Sequence, residues 1–172
     1  MELIKAIKPH LDQRYVVAAP SADLYAYFYE RGVGILRDGG RLGFITSSTF
    51  FRTSSGEALR NFLTNHLAIE TIVDFGDAQV FDSVTTYPVA ITLLKGQREG
   101  VIRYLILDRT PPLDLGRAFD ESAQTLTRAR LAGGSWQLEN ETTALLRDKI
   151  ADHRVRLSEV WCTVAGNTNR PQ

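Results

Sequence analysis

Phe81 stands in the segment GDAQVFDSVTTYPVAI, a run of small and polar residues in which an apolar ring follows neither a helical nor a strand period. Such a ring either tucks beneath neighbouring strands and anchors its loop, or stays out for a partner. The other residue types that carry chemistry are scattered. His10, His66 and His153 have no carboxylate or second histidine at ligand spacing, so neither a metal site nor a nucleophile relay is supported. The single cysteine, Cys162, lies in a short apolar stretch with Trp161 and Val164 and reads as structural. Gly39 and Gly40 precede a strand, whereas a phosphate loop needs glycines that follow a strand and open a helix. The hydroxyls of Thr46, Ser47, Ser48 and Thr49 fall where ligands of α/β folds gather, but they are read as caps for the next helix, with no catalytic role.

These residues must be held by regular elements, and the hydrophobic spacing shows which. Over residues 22–36, Leu24, Phe28, Ile35 and Leu36 recur at helical intervals and predict one inner face. Arg37-Asp38-Gly39-Gly40 ends that helix, and residues 41–46 are short and apolar enough for a buried strand. Ser54 and Glu57 have the spacing of a capping box, opening a second helix whose inner face is Leu59, Phe62, Leu63 and His66. Residues 68–75 return as a β-branched strand. The polar run 76–86 joins it to an antiparallel strand at 87–94 that carries Pro88 near its start. Residues 101–107 suggest a further strand, and 113–130 carry a weak signal. The stretch 136–138 looks strand-like, 143–151 helical and 157–164 apolar, before a turn-rich tail at 166–172.

The composition suits a packed domain. At 172 residues with 44% hydrophobic content, the chain can bury a core, and no repeat or low-complexity tract interrupts it. Twenty basic and twenty acidic residues cancel, so the chain has no overall field that would grip a polyanion. Arg147, Lys149, Arg154 and Arg156 alternate with Asp148 and Asp152, the pattern of a solvated helix face. The first residues lack a signal-peptide core and no apolar run reaches the ~20 residues that span a bilayer, so the expected compartment is the cytoplasm.

The block DLYAYFYERGVGILRDGGRLGFITSSTF, followed by VDFGDAQVF and TTYPVAITLLKG, resembles the later part of the catalytic domain of adenine-specific (N6) DNA methyltransferases. These belong to restriction-modification and phage-defence systems, and the motif order is gamma-class and type IIG-like. The resemblance is in order and spacing and covers residues 22–96. It implies an α/β fold: the second half of a Rossmann-like, S-adenosylmethionine-dependent methyltransferase sheet with an antiparallel last strand, plus a helical linker. In the family the target adenine is rotated out of the duplex and held between aromatic rings. Phe81 matches the ring contributed by the loop between the last two strands, and so becomes the substrate-binding residue. Phe28 matches a position that lines the cofactor's adenine pocket, although as a sequence element it reads equally as core.

The resemblance also implies an organisation. Residues 1–22 would be a connector following the family's Asn-Pro-Pro-Tyr motif, 23–110 the C-terminal half of the catalytic domain, 111–156 a linker with helices, and 157–172 the start of a target-recognition domain. Neither the glycine-rich cofactor motif nor Asn-Pro-Pro-Tyr occurs in the chain, so those parts are expected upstream and no catalytic residue is assigned within it. The cofactor of the whole enzyme would be S-adenosylmethionine, with no metal and with double-stranded DNA as partner. The isolated chain is expected to be inactive and to self-associate through an unpaired sheet edge at 41–46. Two alternatives stand beside this reading: a non-catalytic interaction or DNA-specificity module that assembles with a separate catalytic chain, and a methyltransferase for RNA or protein.

Overall fold

The computed structural model describes residues 2–78, 80–81, 86–96, 100–107, 112–131 and 134–152. Cys162, His153, Arg154, Arg156, the apolar stretch 157–164 and the tail lie outside them. Two compact units are present, residues 1–138 and 139–172.

In the first unit the elements run α1 (Glu2–Arg14), α2 (Leu24–Ile35), β1 (Arg41–Ser47), α3 (Glu57–His66), β2 (Leu67–Asp74), β3 (Pro88–Lys95), β4 (Val101–Ile106), α4 (Leu115–Ser122) and β5 (Gln124–Thr127). Five strands form one mixed sheet in the order β1-β3-β2-β4-β5. β3 lies antiparallel between β1 and β2, and β4 runs parallel to β2. This is the α/β class and the antiparallel last strand that the sequence implies. The second unit's described part is α5 (Glu141–Asp152), where Arg147 is paired with Glu139 and Asp148.

Alternation along the strands builds a core on each face of the sheet. Ile72 of β2 and Val89, Ile91 and Leu93 of β3 join Tyr29 and Val33 of α2 and Leu59 and Leu63 of α3 in the larger core. Val73 and Ala90 point the other way, into a smaller cluster with Phe75, Ala78, Val80, Leu115 and Phe119.

Several expectations are corrected. Of the inner face expected for α2, Leu24 packs on the larger core, but Phe28 and Ile35 do not belong to it. Ala26, Tyr27, Tyr29 and Val33 are buried, while Phe28 and Ile35 are 60% and 69% exposed. Tyrosine can take the inner face because its polar tip is satisfied: the Tyr27 hydroxyl donates to Asp12 Oδ1 at 2.9 Å, and the Tyr29 hydroxyl lies 3.2 Å from Thr46 Oγ1. The helix ends at Ile35, and Gly39 takes its left-handed φ of 73° later, in the turn into β1.

The capping box does not form. The chain enters α3 through a 3-10 turn at Ser54–Gly56, and neither Thr53 nor Gly56 makes a side-chain cap bond. Thr53 Oγ1 instead donates to the carbonyl of Thr49 at 3.0 Å. On α3 the buried residues are Leu59, Arg60 and Leu63, whereas His66 is exposed and makes a tilted ring contact with the half-buried Phe62. β1 is a half-exposed edge strand, not a buried one, because only β3 pairs with it. Residues 136–138 form no strand, yet Trp136 is among the most buried side chains. The weak region at 113–130 holds α4 and β5, so the sheet extends beyond residue 110, and residues 1–22 contain α1.

Candidate functional site

The register brings three strand ends to one end of the sheet. Ser47, last in β1, is opposite Pro88, first in β3, and Asp74, last in β2, is opposite Val89. A cleft of about 400 Å³ opens there, within the range of small-molecule and base-sized sites. One wall is the β1–α3 connection, with Ser48, Thr49, Phe51, Arg52 and Thr53. The other is formed by Asp74, Gly76, Asp77 and Tyr87 from the two ends of the β2–β3 loop.

Local bonds shape both walls. The Ser47 hydroxyl accepts the Thr49 amide at 3.3 Å and caps the 3-10 turn Ser48–Phe51, whereas α3, the helix it was expected to cap, has no side-chain cap bond. Ser48 and Thr49 line the cleft as well, a role the sequence did not reveal. Tyr25 reaches the wall from α2, its hydroxyl 3.3 Å from Thr49 Oγ1. Burial holds that phenol above its ordinary range, Asp23 adding to the effect and the Thr49 bond opposing it. On the far wall Asp74 Oδ1 accepts the Gly76 amide at 2.9 Å. Gly76 has φ 56°, and a side chain there would also press on the Leu107 carbonyl, 3.1 Å from the Cβ position. The Ser48 amide donates to the Tyr87 carbonyl at 2.7 Å, joining the walls. Arg52 brings a cation and Asp74 and Asp77 bring carboxylates, so the cleft is polar without one dominant sign.

Phe81 belongs to the β2–β3 loop at this end of the sheet. Its loop is anchored by other residues: Phe75 and Ala78 are buried, and Val80 packs on them. Phe81 itself is 43% exposed and belongs to neither core. The anchoring alternative therefore falls to Ala78 and Val80. Phe28 is on the outer face of α2, which removes the core reading of that residue. Neither ring pairs with another aromatic among the described residues, and the two do not meet. His10 and His66 are exposed, and no group of three or more His, Cys, Asp or Glu side chains that could hold a metal occurs among the described residues.

Comparison with known proteins follows the same segments. The family model described as Eco57I restriction-modification methylase matches residues 2–81. Residues 2–81, a little under half of the chain, are thus similar to that family. The chain is 30% identical over 135 residues to the type II restriction enzyme and methyltransferase RM.Eco57I of Escherichia coli, covering 78% of the chain and 13% of that protein. It is 30% identical over 165 residues to the type II methyltransferase M.PaeR7I of Pseudomonas aeruginosa, covering 88% of the chain and 28% of the relative. The chain thus spans less than a third of either relative's length. Among solved structures, the type IIG restriction endonuclease BpuSI superposes with a TM-score of 0.61 at 16% identity, over 88% of this chain and 20% of that one. At that identity the likeness concerns the fold, a Rossmann-like α/β sheet with helices.

Two contributors escaped the sequence reading. Arg60 was hidden because a guanidinium is not expected on a buried face, although it adjoins Leu59 and precedes Leu63 by three positions. Trp136 was read as a strand residue when its ring packs 5.7 Å from Phe50 and 5.3 Å from Phe51, behind the first wall.

Proposed function

We propose that the chain forms the second half of the catalytic domain of a restriction-modification DNA methyltransferase that transfers a methyl group to adenine N6. The cleft would receive the extruded adenine, and Phe81 would support one face of the base, an interaction worth ~1–3 kcal/mol per stacked ring. The observation that carries the reading is the Phe81 ring itself. It stays 43% exposed although its loop has other anchors, and that loop supplies Gly76, Asp77 and Tyr87 to the cleft and begins in a segment matching a DNA-modification family. Hydroxyls and mixed charges around the cleft suit a polar heterocycle better than an aliphatic ligand.

S-adenosylmethionine would be the methyl donor of the whole enzyme, its sulfonium methyl serving as the electrophile. Among this chain's residues Phe28 offers an exposed flat ring that would fit one face of the donor's adenine. The remaining parts, including the residues that would orient the amine, would come from polypeptide outside this chain, in keeping with the share of RM.Eco57I and M.PaeR7I that it spans. Residues 23–110 would be the half-domain, 111–156 the linker, and 157–172 the entrance to target recognition. The compartment would be the cytoplasm, where the DNA is.

The test is to express the whole enzyme in a host devoid of adenine methylation and to read modified bases in its DNA. N6-methyladenine at a defined site is expected. Methylation of cytosine, or none, would overturn the reading, as would methylation by the 172-residue chain alone, which is expected to be inactive. In the isolated chain the open edge of β1, with Ile45 exposed, should pair with a second copy. Sedimentation should therefore show concentration-dependent association, and a monomer at all concentrations would refute the edge argument.

A further inference from the structure

The wall formed by residues 48–53 has its backbone oxygens taken up one by one. The Thr49 carbonyl accepts the amides of Arg52 and Thr53, both at 3.2 Å, and the Thr53 hydroxyl. The Phe51 carbonyl accepts the Trp136 amide at 2.7 Å. The carbonyls of Phe50 and Thr53 are both held by Arg60, whose Nη1 lies 2.6 and 2.8 Å from them, while its Nε donates to the Gly134 carbonyl at 2.7 Å. Arg60 is only 5% exposed, and its described hydrogen-bond partners are carbonyl oxygens rather than a carboxylate. Burying a guanidinium against neutral acceptors is costly, and it is tolerated where the planar fork meets several oxygens at once.

The same wall is pressed from beneath. A Cβ at Gly56 would stand 2.3 Å from the Phe50 carbonyl oxygen and 2.6 Å from its Cα, so this position admits no side chain unless the wall moves. Behind it, Phe50, Phe51 and Trp136 form a set of edge-on and tilted ring contacts.

We propose that Arg60, backed by Gly56 and Trp136, is a positioning residue that presets the shape of the 48–53 wall for the base. This rests on the cleft being the base site, as proposed above. Arg60 touches neither cleft nor substrate and acts through the carbonyls of Phe50 and Thr53. Arg52, Thr53 and Phe51 are thereby presented in one geometry before a ligand arrives. Preorganisation of this kind lowers the ordering cost of binding and fixes the angle at which the reacting group is held.

Hydrogen–deuterium exchange on the 172-residue chain tests the clamp without reference to catalysis. Arg60→Met keeps the apolar stem and removes the fork. The amides of Arg52, Thr53 and Gly56 should then exchange about tenfold faster or more, while those pairing β2 with β3 keep their protection. Unchanged rates at these three amides would overturn the proposal, and so would an equal acceleration across the sheet, which would make Arg60 merely structural. Should Arg60→Met fail to fold, Gly56→Ala displaces the same wall while retaining the cation, and the same amides decide.

In the whole enzyme, Arg60→Met should raise KM for DNA and lower kcat per titrated active site, together by about tenfold or more in kcat/KM. Unchanged constants per active site would remove Arg60 from the reaction. A wild-type enzyme that methylates no DNA would sink the functional reading alone, since the exchange experiment still judges the clamp.

Discussion

The two walls of the cleft are built by different means. The β1–α3 wall is held from inside the protein by a buried arginine, a glycine that admits no Cβ and a tryptophan with two phenylalanines. The β2–β3 wall is held by a short turn at Asp74–Gly76 and a small apolar cluster beneath it, and its loop leaves the Phe81 ring exposed. One wall fixes a shape and the other offers a surface. A site that receives a planar group needs both, because a ring in contact with the base does little unless the opposite side limits where the base can go.

The largest effect should come from removing the support of the fixed wall. Trp136→Ala leaves a cavity against Phe50 and Phe51 and should destabilise the chain by about 3–5 kcal/mol, read as a shift of the urea midpoint at unchanged slope. A loss below about 1 kcal/mol would mean that the wall does not depend on what lies behind it.

A smaller effect depends on pH. Tyr29 is fully buried between α2 and β1, and burial pushes its hydroxyl up to about 12, against the 10.0 of an exposed phenol. Between pH 10 and 12 the unfolded chain gives up this proton while the folded chain keeps it, so stability falls as pH rises. The contribution is complete below pH 10 and gone by about pH 12, and two units correspond to about 3 kcal/mol. Tyr29→Phe has no such proton, and its urea midpoint should decline less steeply over that window. Parallel declines in the two proteins would show that Tyr29 titrates normally.

The smallest change in stability should follow Phe81→Ala, within about 0.5 kcal/mol, because a residue outside both cores carries little of the fold. A large loss would return Phe81 to the role of an anchor. It would then resemble Val80 and erase the contrast between the walls.

The antiparallel pairing of β2 with β3 was legible because its signals are local. β-branched runs separated by a polar loop, with proline at a strand start, leave little choice of arrangement. Phe81 stood out as an apolar residue out of period, and its ring is 43% exposed. The face of α2 was misread because tyrosine is apolar in its ring and polar at its tip. Whether it turns inward depends on partners such as Asp12 and Thr46, which are remote in sequence. Arg60 and Gly56 were invisible on similar grounds. An arginine on an inner face looks like an error until the carbonyls of Phe50, Thr53 and Gly134 are seen around it.

The central claim is that Phe81 meets a base drawn out of the duplex, and one optical measurement addresses it directly. With 2-aminopurine in place of the target adenine, the whole enzyme should raise the fluorescence of duplex DNA as the base leaves the stack. Phe81→Ala should weaken capture by about tenfold, corresponding to ~1–3 kcal/mol of lost stacking, with Phe81→Trp retaining it. An unaltered fluorescence titration in Phe81→Ala would contradict the account.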